Sequence, residues 1–510
     1  ITYEYELHKQ YLPTITLAEV NALSAERLGH DNRVIIVSAP KKEGVVIPAE
    51  SAFVSLLERV SAEKTTAYVD SISTKPLLAV IPTPGRVVKE REFKKIGVTE
   101  WTLSNGARVV LKPTTFKNDE ILFSATGWGG TSGVKNEDFI SASYAANLVR
   151  LGGLGSFDNV TLAKMLAGKL ANVGPYFNNL QEGLSGSTTP EDIETFFQLL
   201  YLNITEPRKD ADAVSAFISR IRASIASRNA SPDAAFSDTV QTVMSSYHFH
   251  ARPMSTAIID EINLDKAFAF YKERFGDVGD FTFFFVGNFD LKMMKPWVEK
   301  YIASLPSTHS KLTWKDDGIR PPTGHVEREV KKGIEPKSSV KLVYTGTFDW
   351  TMKNRFDFQM LMEVLRIKLR EQMREEKGGV YGVSVNGATW IYPSNQFQIA
   401  ITWGCAPERV SELIGVVDQQ IDSLKNIAVK DDYIVKVKET QIRDREVNLK
   451  ENHFWLSALD GMYYYNQNPE EILDRINYIN ALKASDIQAA AKKFFTRENV
   501  AKFVLNPEKK

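Results

Sequence analysis

Three stretches of this chain align without a gap, and that repeat limits the possible folds more than any other feature. They are ITLAEVNALSAERLGHDNRVIIVSAP (15–40), INLDKAFAFYKERFGDVGDFTFFFVG (262–287) and LKASDIQAAAKKFFTRENVAKFVLNP (482–507). Each opens as a helix and closes as an apolar strand. Leu17, Val20, Leu23 and Leu28 correspond to Leu264, Ala267, Phe270 and Phe275, and to Ala484, Ile487, Ala490 and Phe495. This near-helical spacing predicts one buried face in every copy. Thr16 and Asn263 stand where a side chain caps the first turn, whereas Lys483 cannot cap in the same way. The strands VIIV, FTFFFV and AKFVL follow a short polar turn.

The repeat implies a chain of homologous α+β domains of about 200 residues each, every one a mixed or antiparallel sheet packed with helices. In EWTLSNGARVVLKP (100–113), Asn105-Gly106 between apolar alternations signals the hairpin that opens the second unit. Two segments rich in Pro and charge, VIPTPGRVVKEREFKKIG (80–97) and DDGIRPPTGHVEREVKKGIEPKSSV (316–340), read as connectors with solvated charged faces. The first has some strand character at Arg86–Val88. The expected layout is 1–85, the C-terminal part of an incomplete domain; 86–97, a linker; 98–307, a second domain; 308–322, a linker; and 323–510, a last domain. The chain begins at Ile1 without a basic-then-apolar leader, as expected of a processed or truncated product.

Much chemistry is missing. Lys+Arg and Asp+Glu both number 63, so net charge gives no reason to expect a nucleic-acid or membrane partner. No apolar run is long enough to cross a bilayer. A single cysteine, Cys405, excludes an internal disulfide framework and, with no histidine nearby in sequence, reads as a buried or neutral thiol. His248 and His250 would point to opposite sides of a strand, which is poor chelation. His8, His30, His309, His325 and His453 are isolated, so no metal ligand is assigned. TGWGGTSG (126–133) lacks the lysine and spacing of a phosphate cradle and reads as a loop or strand end. FTFFF (281–285) and MYYYN (462–466) read as core and interface.

Several segments carry a resemblance. WTLSNGARVVLKP resembles the first hairpin of a half in the pitrilysin/insulinase-like zinc metallopeptidases. GLSGSTTPEDIETFFQLLYLNITEPR (183–208), LREQMREEKGGVYGVSV (369–385) and NHFWLSALDGMYYYNQNP (452–469) resemble further segments of that family, the second being its Arg…Tyr motif. The resemblance implies a pitrilysin-like metallohydrolase fold, two halves of two domains closing around a peptide. The family's zinc lies in the N-terminal half, on an inverted His-x-x-Glu-His helix. Here the corresponding helix holds Ala146-Asn147-Leu148-Val149-Arg150 before LGGLGS, with none of those side chains.

The resemblance therefore implies the C-terminal, non-zinc half of a zinc metalloendopeptidase plus a remnant of the N-terminal half. Zinc belongs to the complete enzyme, none is bound by this chain, and the chain alone is expected to be inactive. Arg374 and Tyr381 match the family's substrate-facing pair, with Gly378 and Gly379 forming the bend and completing the substrate-binding set. The tyrosine hydroxyl would meet charge developing on the attacked carbonyl, and the guanidinium would orient peptide and tyrosine. Arg370 is a rival arginine, and Glu371 and Glu375 are expected to pair with neighbouring cations. Without the resemblance, Arg374 is a helix C-terminal cation, the glycines a C-cap and turn, and Tyr381 a strand aromatic. The implied partners are peptide substrates and either the missing catalytic half or a separate zinc-bearing subunit. In the latter case the chain is a non-catalytic scaffold or peptide-binding subunit; a purely structural interaction module is the third alternative. The family resemblance also suggests a bacterial periplasmic location.

Overall fold

The structure is a computed structural model that describes residues 2–27, 32–39, 46–64, 66, 73–376, 378, 380 and 382–508. The chain divides into two compact units, 1–71 and 72–510.

The first unit holds helices Thr2–Tyr11, Leu17–Arg27 and Glu50–Ala62. Thr16 and Glu19 form a reciprocal cap: the Thr16 hydroxyl accepts from Glu19 N–H at 3.2 Å, and the Glu19 carboxylate accepts from Thr16 N–H at 2.7 Å. The strand expected at VIIV is not formed, and Val34 and Ile36 are exposed. Nor is the expected buried face: Leu17 is 76% exposed, and Val20 and Leu23 are each 52% exposed. Leu28 lies outside the described residues. The reason is pairing. A strand exists through a hydrogen-bonded neighbour, and the described residues of this unit contain no other strand. The helix therefore has no sheet to cover.

The second unit contains two sheets. The first is built from β1 (Val87–Phe93), β2 (Val98–Leu103), β3 (Arg108–Pro113), β4 (Ile121–Trp128), β5 (Asn172–Phe177), β6 (Gln181–Thr188) and β7 (Thr282–Gly287), ordered β1-β2-β3-β7-β4-β6-β5. The second uses β8 (His325–Lys331), β9 (Ser338–Thr347), β10 (Val383–Trp390), β11 (Gln396–Cys405) and β12 (Val500–Asn506), ordered β10-β11-β9-β12-β8. Reversed, the second order reproduces the β3-β7-β4-β6-β5 portion of the first. The pairing senses agree as well: β7 and β12 are each parallel to one neighbour and antiparallel to the other. The second and third copies of the sequence repeat thus end in equivalent central strands.

Local chemistry explains the elements. Asn105-Gly106 turns β2 into β3, and buried Asn105 donates to the carbonyls of Ile302 at 2.8 Å and Leu305 at 3.2 Å. Asn263 caps helix Leu264–Phe275 by accepting from Lys266 N–H at 3.0 Å. At helix Ala484–Phe494 the Asp486 carboxylate instead accepts from Lys483 N–H at 2.8 Å. The charged stretches VVKEREF and HVEREVK are edge strands β1 and β8, so the strand character near Arg86–Val88 extends to Phe93. Their exposed charges deter further strand pairing.

One face of each sheet is covered by its own helices. Phe123, Phe196, Phe285 and Tyr271 centre the first core; Leu365, Ile399, Ile487 and Phe494 centre the second. The other faces are covered by exchange. Helix Asn452–Tyr464 lays Trp455, Leu456, Leu459 and Met462 on Val110, Phe284 and Val286 of the first sheet. Helix Pro232–Met244 lays Phe236, Val240 and Val243 on Val343, Phe503 and Leu505 of the second. Burying each such side chain contributes about 1.5–3 kcal/mol. Polar ties hold both ends of the first crossing helix: Thr114 donates to Asn452 at 2.6 Å, Asn452 to Glu120 at 2.9 Å, and Tyr463 to Glu100 at 2.5 Å.

Candidate functional site

Helix Met352–Arg370 begins at Thr351, whose hydroxyl accepts from Asn354 N–H at 3.1 Å. Phe358, Leu361, Leu365 and Leu369 point into the second core. The helix then widens into a π-helical turn over Glu371–Glu376, a local irregularity that recurs at functional sites. Met373 and Val380 are buried on either side of the bend, whereas Arg374 is exposed. Gly378 has φ +57° and donates its N–H to the Arg374 carbonyl at 3.1 Å. A left-handed residue at that point is the usual helix stop, and glycine adopts it without a Cβ clash. The chain then enters β10, the outermost strand of its sheet.

Arg374 therefore stands in solvent at the bend, with no side-chain ion pair among the described residues. Arg370 is also exposed. Gly379 and Tyr381, the other residues assigned from sequence, lie outside the described residues, as does the side chain of Glu375. Glu371 accepts from the Tyr433 hydroxyl at 2.5 Å, with the Lys368 ammonium 5.3 Å from the Tyr433 ring centre. Arg366 donates to Glu363 at 2.5 Å and to the Val385 carbonyl at 2.7 Å, tying the helix to β10.

Nowhere among the described residues do three or more His, Cys, Asp or Glu side chains gather as a metal would need. His250 is held by Asn136 at 2.9 Å and Asp317 at 3.5 Å and stacks on Phe139. In helix Asn136–Gly152, Ala146, Leu148 and Val149 are buried apolar side chains. These residues do not fit zinc. Cys405 is buried, which raises its thiol pKa above the ordinary value.

The glycine-rich run 126–133 is the end of β4 and its following turn, and it conceals a carboxylate that sequence reasoning missed. Glu182, on β6, is fully buried and accepts from Gly130 N–H at 2.5 Å; its other oxygen has no partner among the described residues. A Cβ on Gly129 would lie 2.7 Å from the Arg274 guanidinium and 3.1 Å from the Glu182 carboxylate. The glycine pair, which leaves room for approaching groups, is the only trace of this site in the sequence. Burial pushes the Glu182 carboxyl up to about 8, against the opposing pull of the Gly130 N–H and Arg274. Because the folded chain keeps this proton after the unfolded chain has lost it, stability should fall as pH rises from about 4.5 to 8, by up to about 1.4 kcal/mol per pH unit. Glu182→Gln is expected to flatten that slope, as urea denaturation at pH 5 and pH 8 would measure; an unchanged slope would remove Glu182 as its source.

Residues 261–441 match the family described as the peptidase M16 inactive domain. Over 477 residues the chain is 26% identical to the zinc protease PQQL-like of Arabidopsis thaliana, covering 90% of this chain and 47% of that protein. Residues 261–441 thus carry the family match, and over most of its length the chain is similar to zinc proteases of the PqqL type. Among solved structures, the chain shares its fold with the periplasmic protease PqqL of Escherichia coli, at a TM-score of 0.76 and 18% identity over 90% of this chain and 51% of that one. The ferredoxin protease FusC, in complex with Arabidopsis ferredoxin, matches at a TM-score of 0.76 and 17% identity, over 91% of this chain and 51% of that one. The chain spans about half the length of these relatives. Among its described residues no helix is long and apolar enough to cross a membrane.

Proposed function

We propose that this chain is the zinc-free C-terminal half of a peptidase that closes over a peptide or unfolded protein segment. Residues 1–85 then end a domain of the other half, which carries the metal. Arg374 and Tyr381 face the peptide: the tyrosine hydroxyl donates to the attacked carbonyl oxygen, and the guanidinium holds a neighbouring peptide carbonyl. The observation that carries this reading is the bend after helix Met352–Arg370, where an exposed Arg374, without an ion pair among the described residues, precedes a left-handed Gly378 and an edge strand. The family match and the zinc protease relative support it. A bacterial periplasmic location belongs to the same proposal, supported by the periplasmic relative.

The test is complementation. The chain alone is expected to leave a fluorogenic oligopeptide uncut, and its catalytic other half to restore cleavage at least about tenfold over that half alone. Cleavage by this chain alone, freed of any contaminating protease, would contradict the division of labour. Peptide binding without restored cleavage would favour the scaffold alternative.

A further inference from the structure

Three arginines from separate helices meet away from the Arg374 bend. A cavity of about 220 Å³ is lined by Arg355, Arg445 and Arg475, with Phe356, Tyr465 and Tyr478 among the rings around them. Arg445 is 8% exposed, and the other two are half-buried. Among the described residues every hydrogen-bond partner of the three guanidinium groups is neutral. Arg445 donates to the Ile472 carbonyl at 2.6 Å, and Arg475 to the amide oxygens of Gln359 at 2.9 Å and Gln441 at 3.1 Å. Arg355 reaches Gln467 at 3.4 Å and lies over the rings of Trp350 and Tyr465, 4.6 and 5.3 Å from their centres. Glu471 also lines the cavity, but among the described residues no carboxylate comes within ion-pair distance of any of the three.

Burying cations without counter-charges is costly, and proteins ordinarily supply partners. Here the cations also oppose one another: burial first, then the charges of Arg445 and Arg355, hold the Arg475 guanidinium below its ordinary pKa. We propose that the cavity binds a small phosphate monoester with an aromatic body. A phosphate presents three acceptor oxygens and up to about two negative charges to the guanidinium forks. A carboxylate, with two oxygens and one charge, leaves an arginine unmatched. The surrounding rings receive the flat body. Arg355 lies roughly 28 Å along the helix from Arg374, so the site is separate from the peptide-facing bend and does not rest on the peptidase reading.

Titration calorimetry on the full chain tests this, with phenyl phosphate, phenylacetate and inorganic phosphate at constant ionic strength set by sodium chloride. Phenyl phosphate is expected to bind saturably, at least about tenfold more tightly than phenylacetate. Arg475→Gln should weaken phenyl phosphate by about tenfold or more, while the ligand-free variant melts no lower than the parent because a repelling cation is gone. Arg328→Gln, on exposed β8, should leave binding unchanged. No saturable phenyl phosphate binding at about 10 mM, equal affinity for phenylacetate, or unaltered affinity in Arg475→Gln would each overturn the proposal.

Discussion

Tyr381→Phe, made in the complete two-half protein, is expected to lower kcat by about two to three orders of magnitude with little change in KM. In peptide hydrolysis the attacked carbonyl oxygen gains negative charge, and a fixed donor stabilises that oxygen more in the transition state than in the bound peptide. Removing one such donor costs of order 3 kcal/mol. Interactions made only in the transition state appear in kcat, whereas uniform binding appears in KM. Arg374→Gln should behave differently, because a guanidinium on a neighbouring peptide carbonyl holds substrate in both states. Its larger effect is expected in KM, with Arg374→Lys recovering charge but not the planar fork. Steady-state kinetics on a peptide, with circular dichroism to confirm folding, would check both. Near-parental turnover in Tyr381→Phe would remove the tyrosine from the site. If Arg370→Gln alone reproduced the KM effect, the rival arginine would take the role.

The second large effect is expected at the crossing helix. Trp455→Ala should destabilise the chain by about 3–5 kcal/mol, the range for emptying a large aromatic site. Trp455 is 5% exposed and packs with Leu459 and Met462 against the first sheet. Its indole donates to the Leu449 carbonyl at 2.9 Å. The ring also covers Lys112, whose buried ammonium lies 4.3 Å from the ring centre and donates to the Ile96 carbonyl at 2.7 Å. Alanine opens a void and exposes that cation to rearrangement. Guanidinium denaturation should show a lower midpoint, and the two sheets should no longer unfold together because their shared helix is loosened. A midpoint within about 1 kcal/mol of the parent would mean that the crossing helix contributes little to joining the sheets.

What was legible in the sequence was local. Asn105-Gly106 announces its hairpin through turn chemistry, Asn263 its helix through capping, and FTFFF its central strand through a phenylalanine-rich run buried on both faces. The bend at Gly378 was likewise readable, because glycine after a charged helix end is a stop signal. Illegible features depended on partners. VIIV has the composition of a strand but no neighbour to pair with, whereas VVKEREF and HVEREVK have solvated compositions and become strands because β2 and β12 accept them. Periodicity alone could not reveal the π-helical turn that buries Met373 beside exposed Arg374. The arginine cavity draws its three cations singly from three helices, so no sequence window contains them. Glu182 stands in a strand whose spacing gives no sign that its carboxylate is enclosed.

The position of β12 has a consequence for the order in which the protein assembles. On the ribosome, β8 and β9 emerge long before residues 500–506, yet β12 must lie between them, and no other described strand pairs with β8. The first sheet waits as well: β7 must enter between β3 and β4, and its outer face gains its cover only when residues 452–464 have been made. Neither sheet can therefore mature independently as synthesis proceeds from one end to the other. Contacts this distant in sequence slow folding and leave apolar faces open meanwhile. The nascent chain therefore presents uncovered β-sheet to its surroundings until β12 appears, the kind of exposed intermediate that is prone to aggregate.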